Sequence, residues 1–223
     1  MKRAVIACKV LEAELRHLLP PDVELRVLDQ GLHRTPELLK QNIQKEIDSL
    51  DSDEILLGYG RCGNGVNGVR SNRARLVIPK VDDCIAILLG SYDRYLSEFS
   101  KEPGTYWLST GWVKNPFDPY TEYHRCIEKY GETTARWIAG EMMKGYKRLV
   151  FIDTCNGDTD ESRHYAQRFA AFFGLNYEEK QGSDALLRGL ISNDRRDRQF
   201  LVVAPGEEVT LDKFLPNLSM VNA

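Results

Sequence analysis

A chain of 223 residues, 42% hydrophobic and 28% charged, is long enough to bury its own core without disulfide staples. Its formal net charge of −3 gives no general attraction to nucleic acid or to an anionic membrane. No apolar run reaches the roughly 20 residues that a membrane span needs. The opening MKRAVIACKVLEAEL is interrupted by Lys9 and Glu12 too early for a secretory signal and suits a first β-strand. A cytoplasmic protein with a small-molecule partner is therefore expected, with neither nucleic acid nor membrane.

Strand and helix signals alternate along the chain. Arg3–Cys8 (RAVIAC) reads as a buried strand, followed by a helix over roughly Leu11–Leu19 that stops at Pro20-Pro21. Val23–Leu28 is a second strand. Thr35 and Pro36 open the helix PELLKQNIQKEIDSL as N-cap and first residue. Glu54–Tyr59 is a third strand that runs into the glycine-rich segment GYGRCGNGVNGV, and Leu76–Pro79 is a fourth. A helix runs from near Asp82 to Gly90, a short one begins at Ser91, and Thr105–Leu108 reads as a strand. One helical stretch covers roughly Tyr120–Gly145. It is followed by the strand Arg148–Asp153, a helix over Ser162–Phe173, the strand Asn176–Lys180, a helix over Asp184–Ile191 and the strand Phe200–Val203.

This alternation predicts one α/β domain, a mostly parallel sheet with helices on both faces. Two Rossmann-like halves, 1–115 and 116–223, are the alternative, with Pro103-Gly104 or Asn115–Pro119 as the hinge.

In an open parallel sheet, ligands bind beyond the carboxyl ends of the strands. Five cysteines occur, and four of them (Cys8, Cys62, Cys84, Cys155) follow predicted strands. An odd count without a signal peptide favours metal binding, reactivity or burial over disulfides. If strands one, three and four are neighbours, Cys8, Cys62 and Cys84 converge, and His33 leaves strand two at the same edge. Three thiolates and an imidazole make a tetrahedral zinc set; the thiolates alone suit an iron–sulfur cluster. No CxxC pair is present, and core packing is the competing reading for Cys8. Cys84, at a helix N-terminus, has its thiol pKa lowered by the helix dipole and raised by Asp82 and Asp83. Cys126 reads as structural.

Gly63, Asn64 and Gly65 form the expected backbone cradle for an anionic ligand. The loop matches neither a Walker loop nor a dinucleotide fingerprint, because no helix follows it. Asp83 is the candidate for proton transfer and Asp153 a weaker one. Tyr59, Asn64 and Asn67 are candidate hydrogen-bonding groups, and Tyr106, Trp107 and Trp112 a candidate apolar wall.

Six segments together, IACKVLEAEL, DQGLH, LGYGRCGNGV, PKVDDCIAILLGS, GTYWLSTGW and FLVVAPG, resemble a microbial family of unknown function. That family is found in anaerobic bacteria and archaea, often encoded near corrinoid-dependent methyltransferases. On this resemblance Cys8, His33, Cys62 and Cys84 fall at motif positions. It implies one-carbon metabolism, with methyl transfer as the reaction class and a corrinoid methyltransferase system as partner. The expected function is a metal-dependent transferase. The alternative is a non-catalytic accessory that holds a metal, an iron–sulfur cluster or a corrinoid for such a partner, although the corrinoid-carrying DxHxxG signature is missing.

Overall fold

The strongest apolar runs of the sequence become the central strands of two separate sheets. The computed structural model describes residues 1–115, 117–156, 159–192 and 199–214. In chain order the elements are β1 (Arg3–Cys8), α1 (Glu12–Leu18), β2 (Glu24–Leu28), α2 (Pro36–Ser49), β3 (Glu54–Gly58), β4 (Arg75–Pro79), α3 (Cys84–Leu89) and α4 (Tyr92–Lys101). There follow β5 (Thr105–Ser109), α5 (Thr110–Val113), α6 (Pro119–Tyr130), α7 (Glu132–Met142), β6 (Arg148–Asp153), α8 (Thr159–Phe173), β7 (Asn176–Gln181), α9 (Ala185–Ile191) and β8 (Phe200–Val203).

The chain divides into two compact units, Met1–Arg94 with Ser183–Ala223, and Tyr95–Gly182. Position 115, where a sub-lobe boundary was placed from sequence, lies inside the second unit. The α/β reading holds in both units. No helix among the described residues is long and apolar enough to cross a membrane.

The first unit carries a five-stranded sheet in the order β2-β1-β3-β4-β8. Its first four strands are parallel, and β8 closes the edge antiparallel to β4. β3 is buried along its whole length, and β1 and β4 are buried except at their first residues, as continuous apolar runs in a covered parallel sheet should be. The edge strand β2 alternates exposed and half-buried residues. The crossovers from β1 to β2 and from β2 to β3 run in opposite directions, so right-handedness places α1 and α2 on opposite faces. α9 packs against α1, β3 and β4, and α2 against β1 and β2. Glu54, buried at the head of β3, is held by the Arg75 guanidinium on β4 (Nε–Oε1 3.0 Å).

The second unit holds the parallel sheet β5-β6-β7. Leu108, Leu149, Phe151 and Phe169 form its core. Tyr106 stacks on Phe169 at 4.9 Å, and Trp112 packs on the same cluster, so these two rings serve the core of this unit. The single helical stretch expected over 120–145 is two helices parted at Gly131, whose φ of 76° and ψ of 163° suit only glycine. Cys126 is buried between α6 and α7, a structural position. At the head of α2, Thr35 precedes Pro36 as expected, but its hydroxyl makes no capping bond.

Strand order reverses between β1 and β3, which marks the crevice at their carboxyl ends as the ligand position of the first unit. The segment leaving β3 does not turn away there. It runs beside the segment leaving β4, with Arg61 N–H donating to the Val81 carbonyl (2.9 Å) and Cys62 N–H to that of Asp82 (2.8 Å). Gly60 permits this approach: a Cβ there would lie 2.6 Å from Val81 O and 2.7 Å from Asp83 N.

Replacing Gly60 with Ala should therefore cost about 1–3 kcal/mol of unfolding free energy in a urea titration. Gly63→Ala, where the added Cβ would meet nothing within 4 Å but φ is +62°, should cost only about 1–2 kcal/mol, from backbone conformation alone.

Candidate functional site

Four strand exits of the first unit supply the side chains that sequence singled out. Cys8 is the last residue of β1 and is buried. The register pairs Ala7 with Gly58, which sets Cys8 level with Tyr59 on the neighbouring strand exit. After β2 the chain enters a 3-10 turn, Gln30–Arg34, whose start is fixed by Gly31 N–H donating to Asp29 Oδ1 (2.7 Å).

His33 ends up one turn on, with Nδ1 at 3.0 Å from the Gln30 carbonyl. A carbonyl only accepts, so Nδ1 carries the proton of the neutral ring and Nε2 presents a bare lone pair. That Nε2 is shut off from solvent and has no hydrogen-bond partner among the described residues. Burial lowers the His33 pKa, which keeps the ring neutral. Its ring stacks on Tyr59 at 6.0 Å and 30°.

Cys62 lies at the far end of the seam with the β4 exit. It starts a left-handed turn in which Cys62, Gly63 and Asn64 all have positive φ (46°, 62° and 73°), closed by Gly65 N–H donating to the Cys62 carbonyl. A positive φ at cysteine costs on the order of 1–2 kcal/mol, so the surrounding structure imposes it. Within this turn Cys62 is buried while Gly63 and Asn64 are exposed, and the chain is buried again at Gly65 and Val66.

Cys84 is the first residue of α3, behind Asp83, whose Oδ1 accepts from Ile85 N–H (2.8 Å) as N-cap. Asp82 is tied outward, accepting from Tyr92 Oη (2.8 Å) and pairing with Arg61.

The three thiols belong to one electrostatic cluster. Burial raises the pKa of each, to about 11 for Cys8 and well above the ordinary thiol value for Cys62 and Cys84. After burial, the Cys62 thiol is pushed up by the charges of Asp83 and Cys8, and the Cys84 thiol by those of Cys8, Asp83 and Cys62. The helix dipole expected to lower the Cys84 pKa is overridden, because α3 is only six residues long and the residue is buried, with the charges of Cys8, Asp83 and Cys62 acting in the same direction. All three are neutral thiols at pH 7. Among the described residues no three His, Cys, Asp or Glu side chains already stand as a ready-made metal cage. Holding an ion requires the sulfurs to lose their protons and turn toward one another and toward His33 Nε2.

The other expected site residues divide. Gly63 and Asn64 sit exposed above the cluster, with open space around Gly63. Gly65 is glycine because a Cβ would strike the Leu39 side chain of α2, and its N–H is spent on the turn. Asp153 and Cys155 lie in the second unit, where Asp153 pairs with Arg163 (3.0 Å) and accepts from Cys155 N–H (2.8 Å). His124 and His164 are exposed on helices. The contact that sequence did not disclose is the stacking of His33 on Tyr59, whose buried hydroxyl also lacks a partner among the described residues. The one available signal was the spacing of Gln30 and His33, which lets a single 3-10 turn orient the ring.

The chain belongs to the family described as "Protein of unknown function (DUF1638)", whose model matches residues 27–191. The matched span includes His33, Cys62, Asp83 and Cys84. No curated protein and no solved structure matches the chain.

Asp83 sets a pH dependence of stability. Burial pushes its carboxyl up to about 6, with the bonds from Ile85 and Ala86 opposing. Between the ordinary aspartate value of about 4 and this raised value, the folded state holds a proton that the unfolded chain has released. Its contribution to stability therefore falls as pH rises from about 4 to about 6 and stays low above that. Asp83→Asn keeps a capping side chain and removes the buried charge. In urea unfolding of metal-free protein, the variant should gain on the native chain as pH rises from 4 to 6.5 and hold a constant advantage beyond.

Proposed function

We propose that the first unit is a metal-dependent enzyme of small-molecule metabolism, with zinc held by Cys8, Cys62 and Cys84 and with His33 as the fourth ligand. The observation that carries this reading is the His33 Nε2 lone pair. It is buried and without a hydrogen-bond partner among the described residues, on a ring that stacks on Tyr59 at the strand exits from which Cys8, Cys62 and Cys84 also come. An apolar core gains nothing from a neutral imidazole in that state, whereas a metal ligand requires it: one nitrogen donating to a backbone carbonyl, the other bare. The donor set, three sulfurs and one nitrogen, suits zinc by softness and number.

When bound, the ion would supply Lewis acidity and would lower the pKa of a thiol or water substrate. The protein's own groups have distinct tasks. The Cys62–Asn64 turn places one sulfur inward and leaves the Gly63 and Asn64 backbone open to an anionic substrate end. Asp83, with a pKa near the working range, is the group able to take up or release a proton beside the cluster. Methyl transfer is the reaction class favoured by the resemblance to proteins encoded near corrinoid methyltransferases, and a substrate that displaces His33 would open the position it needs.

A second reading, a non-catalytic accessory that holds the metal or an iron–sulfur cluster for a methyltransferase partner, is favoured by enclosure. The three cysteines are only 1–8% exposed, and four protein ligands leave a zinc site closed.

Protein purified without oxygen should contain close to one equivalent of zinc, and Cys62→Ala should lose it. Loading the metal-free protein at pH 7 should release about three protons, one per thiol, measurable as a buffer-dependent heat of binding. A brown chromophore would replace zinc by a cluster. Metal-free protein of unchanged stability in both forms would overturn the site. Displacement of His33 by an added thiol ligand, seen in the spectrum of the cobalt-substituted protein, separates the enzyme from a closed carrier.

A further inference from the structure

The glycine-rich loop that leaves β3 is laid along α2. Leu39 lies against Gly65, and the Gln44 side chain donates to the Arg70 carbonyl (2.9 Å) and accepts from Arg70 N–H (3.0 Å). Between these two points Gly68 N–H donates to the Val209 carbonyl (2.7 Å). Lys40 sends its side chain across Gly68: a Cβ there would lie 2.8 Å from Nζ and 3.3 Å from Cε. Lys40 is half-buried, and its ammonium has neither an ion pair nor a hydrogen bond among the described residues. The neighbouring cations differ, since Arg61 pairs with Asp82, Arg70 with Glu208 and Arg75 with Glu54. Residues 55 to 81 hold five basic side chains and no acidic one, so the loop has no carboxylate of its own to offer Lys40. A lysine with only its hydration to satisfy extends its head into water. One held against a loop, partly desolvated and unpaired, gains from an anion that binds there.

We infer that Lys40 is the cation of an anion site on this loop, its ammonium binding a small oxyanion group, carboxylate or phosphate, of the substrate over Gly68. The inference rests on the reading of the loop as the seat of the substrate's anionic end and uses none of the proposed metal ligands. It supplies what the glycines lack. The N–H groups of Gly65 and Gly68 are spent on the carbonyls of Cys62 and Val209, so the charge that holds an anion here comes from a side chain. Asn67, beside Gly68, is half-buried, and its side-chain amide is a neutral donor with no hydrogen bond among the described residues. Glycine at position 68 leaves the ammonium its place on the loop. A hydrogen bond from a charged donor at such a partly exposed site contributes about tenfold in affinity.

The test is titration calorimetry of the full metal-free chain with inorganic phosphate and, separately, with acetate, at low and constant salt. The native chain is compared with Lys40→Gln and with Lys45→Gln, which removes the same charge from an exposed position of the same helix. Zinc uptake by all three is measured in parallel. The native chain should bind at least one of the two anions, Lys40→Gln should weaken that binding about tenfold, and Lys45→Gln should leave it unchanged. Binding of phosphate alone identifies a phosphoryl group as the ligand, and binding of acetate identifies a carboxylate. Equal weakening in both variants, or none in either, would overturn the role of Lys40. Failure of the native chain to bind either anion would overturn the loop as an anion site. A native chain that binds the anion through Lys40 but takes up no zinc would uphold the anion site while overturning the metal centre.

Discussion

Everything at the carboxyl edge of the first sheet depends on the backbone seam between the segments that leave β3 and β4. Two main-chain hydrogen bonds, from Arg61 N–H to Val81 O and from Cys62 N–H to Asp82 O, hold these segments together, and only a glycine at position 60 lets them approach. The seam delivers Cys62 to the start of a left-handed turn and Cys84 to the first turn of α3. The Arg61–Asp82 pair and the Tyr92 hydroxyl brace its outer side. Cys8 needs no such device, because the register of β1 on β3 already places it at the crevice.

Enclosure governs the chemistry of what the seam assembles. Desolvation is the largest influence on Cys8, Cys62, Cys84, Tyr59, His33 and Asp83 alike, and in each it favours the uncharged form. The site is a set of neutral groups in which the His33 Nε2 and the Tyr59 hydroxyl have no hydrogen-bond partner among the described residues. Such an arrangement has stability in reserve. On the proposed reading, a cation that drew the protons from the sulfurs would satisfy the His33 nitrogen directly, which would couple binding to the ordering of the site.

The sheet cores were legible in sequence because burial on both faces leaves an unbroken apolar run, as in RAVIAC, EILLG and RLVFID. The edge strand β2 was legible from ELRVL between turn signals. The adjacency of β1, β3 and β4 was a condition that right-handed crossovers allow without fixing, and it is present in the fold. Other features depend on contacts distant in sequence. The split of the 120–145 stretch is decided by the conformation of Gly131, and the purpose of Gly65 by the Leu39 side chain on α2. For Cys84 the charge of Asp83 acts in the direction expected, but burial, the largest influence on this thiol, depends on contacts that sequence does not show. Cys62 read as a loop residue, yet its positive φ turns it into the interior. The His33–Tyr59 stack joins the exits of two strands that are not neighbours, and no local pattern announces it.

The most direct measurement is X-ray absorption fine structure at the zinc edge of the loaded protein, which counts ligands by element and distance. Three sulfurs at roughly 2.3 Å with one nitrogen at roughly 2.0 Å are expected for Cys8, Cys62, Cys84 and His33. A shell of oxygen and nitrogen alone would contradict the thiolate centre and return the three cysteines to the core.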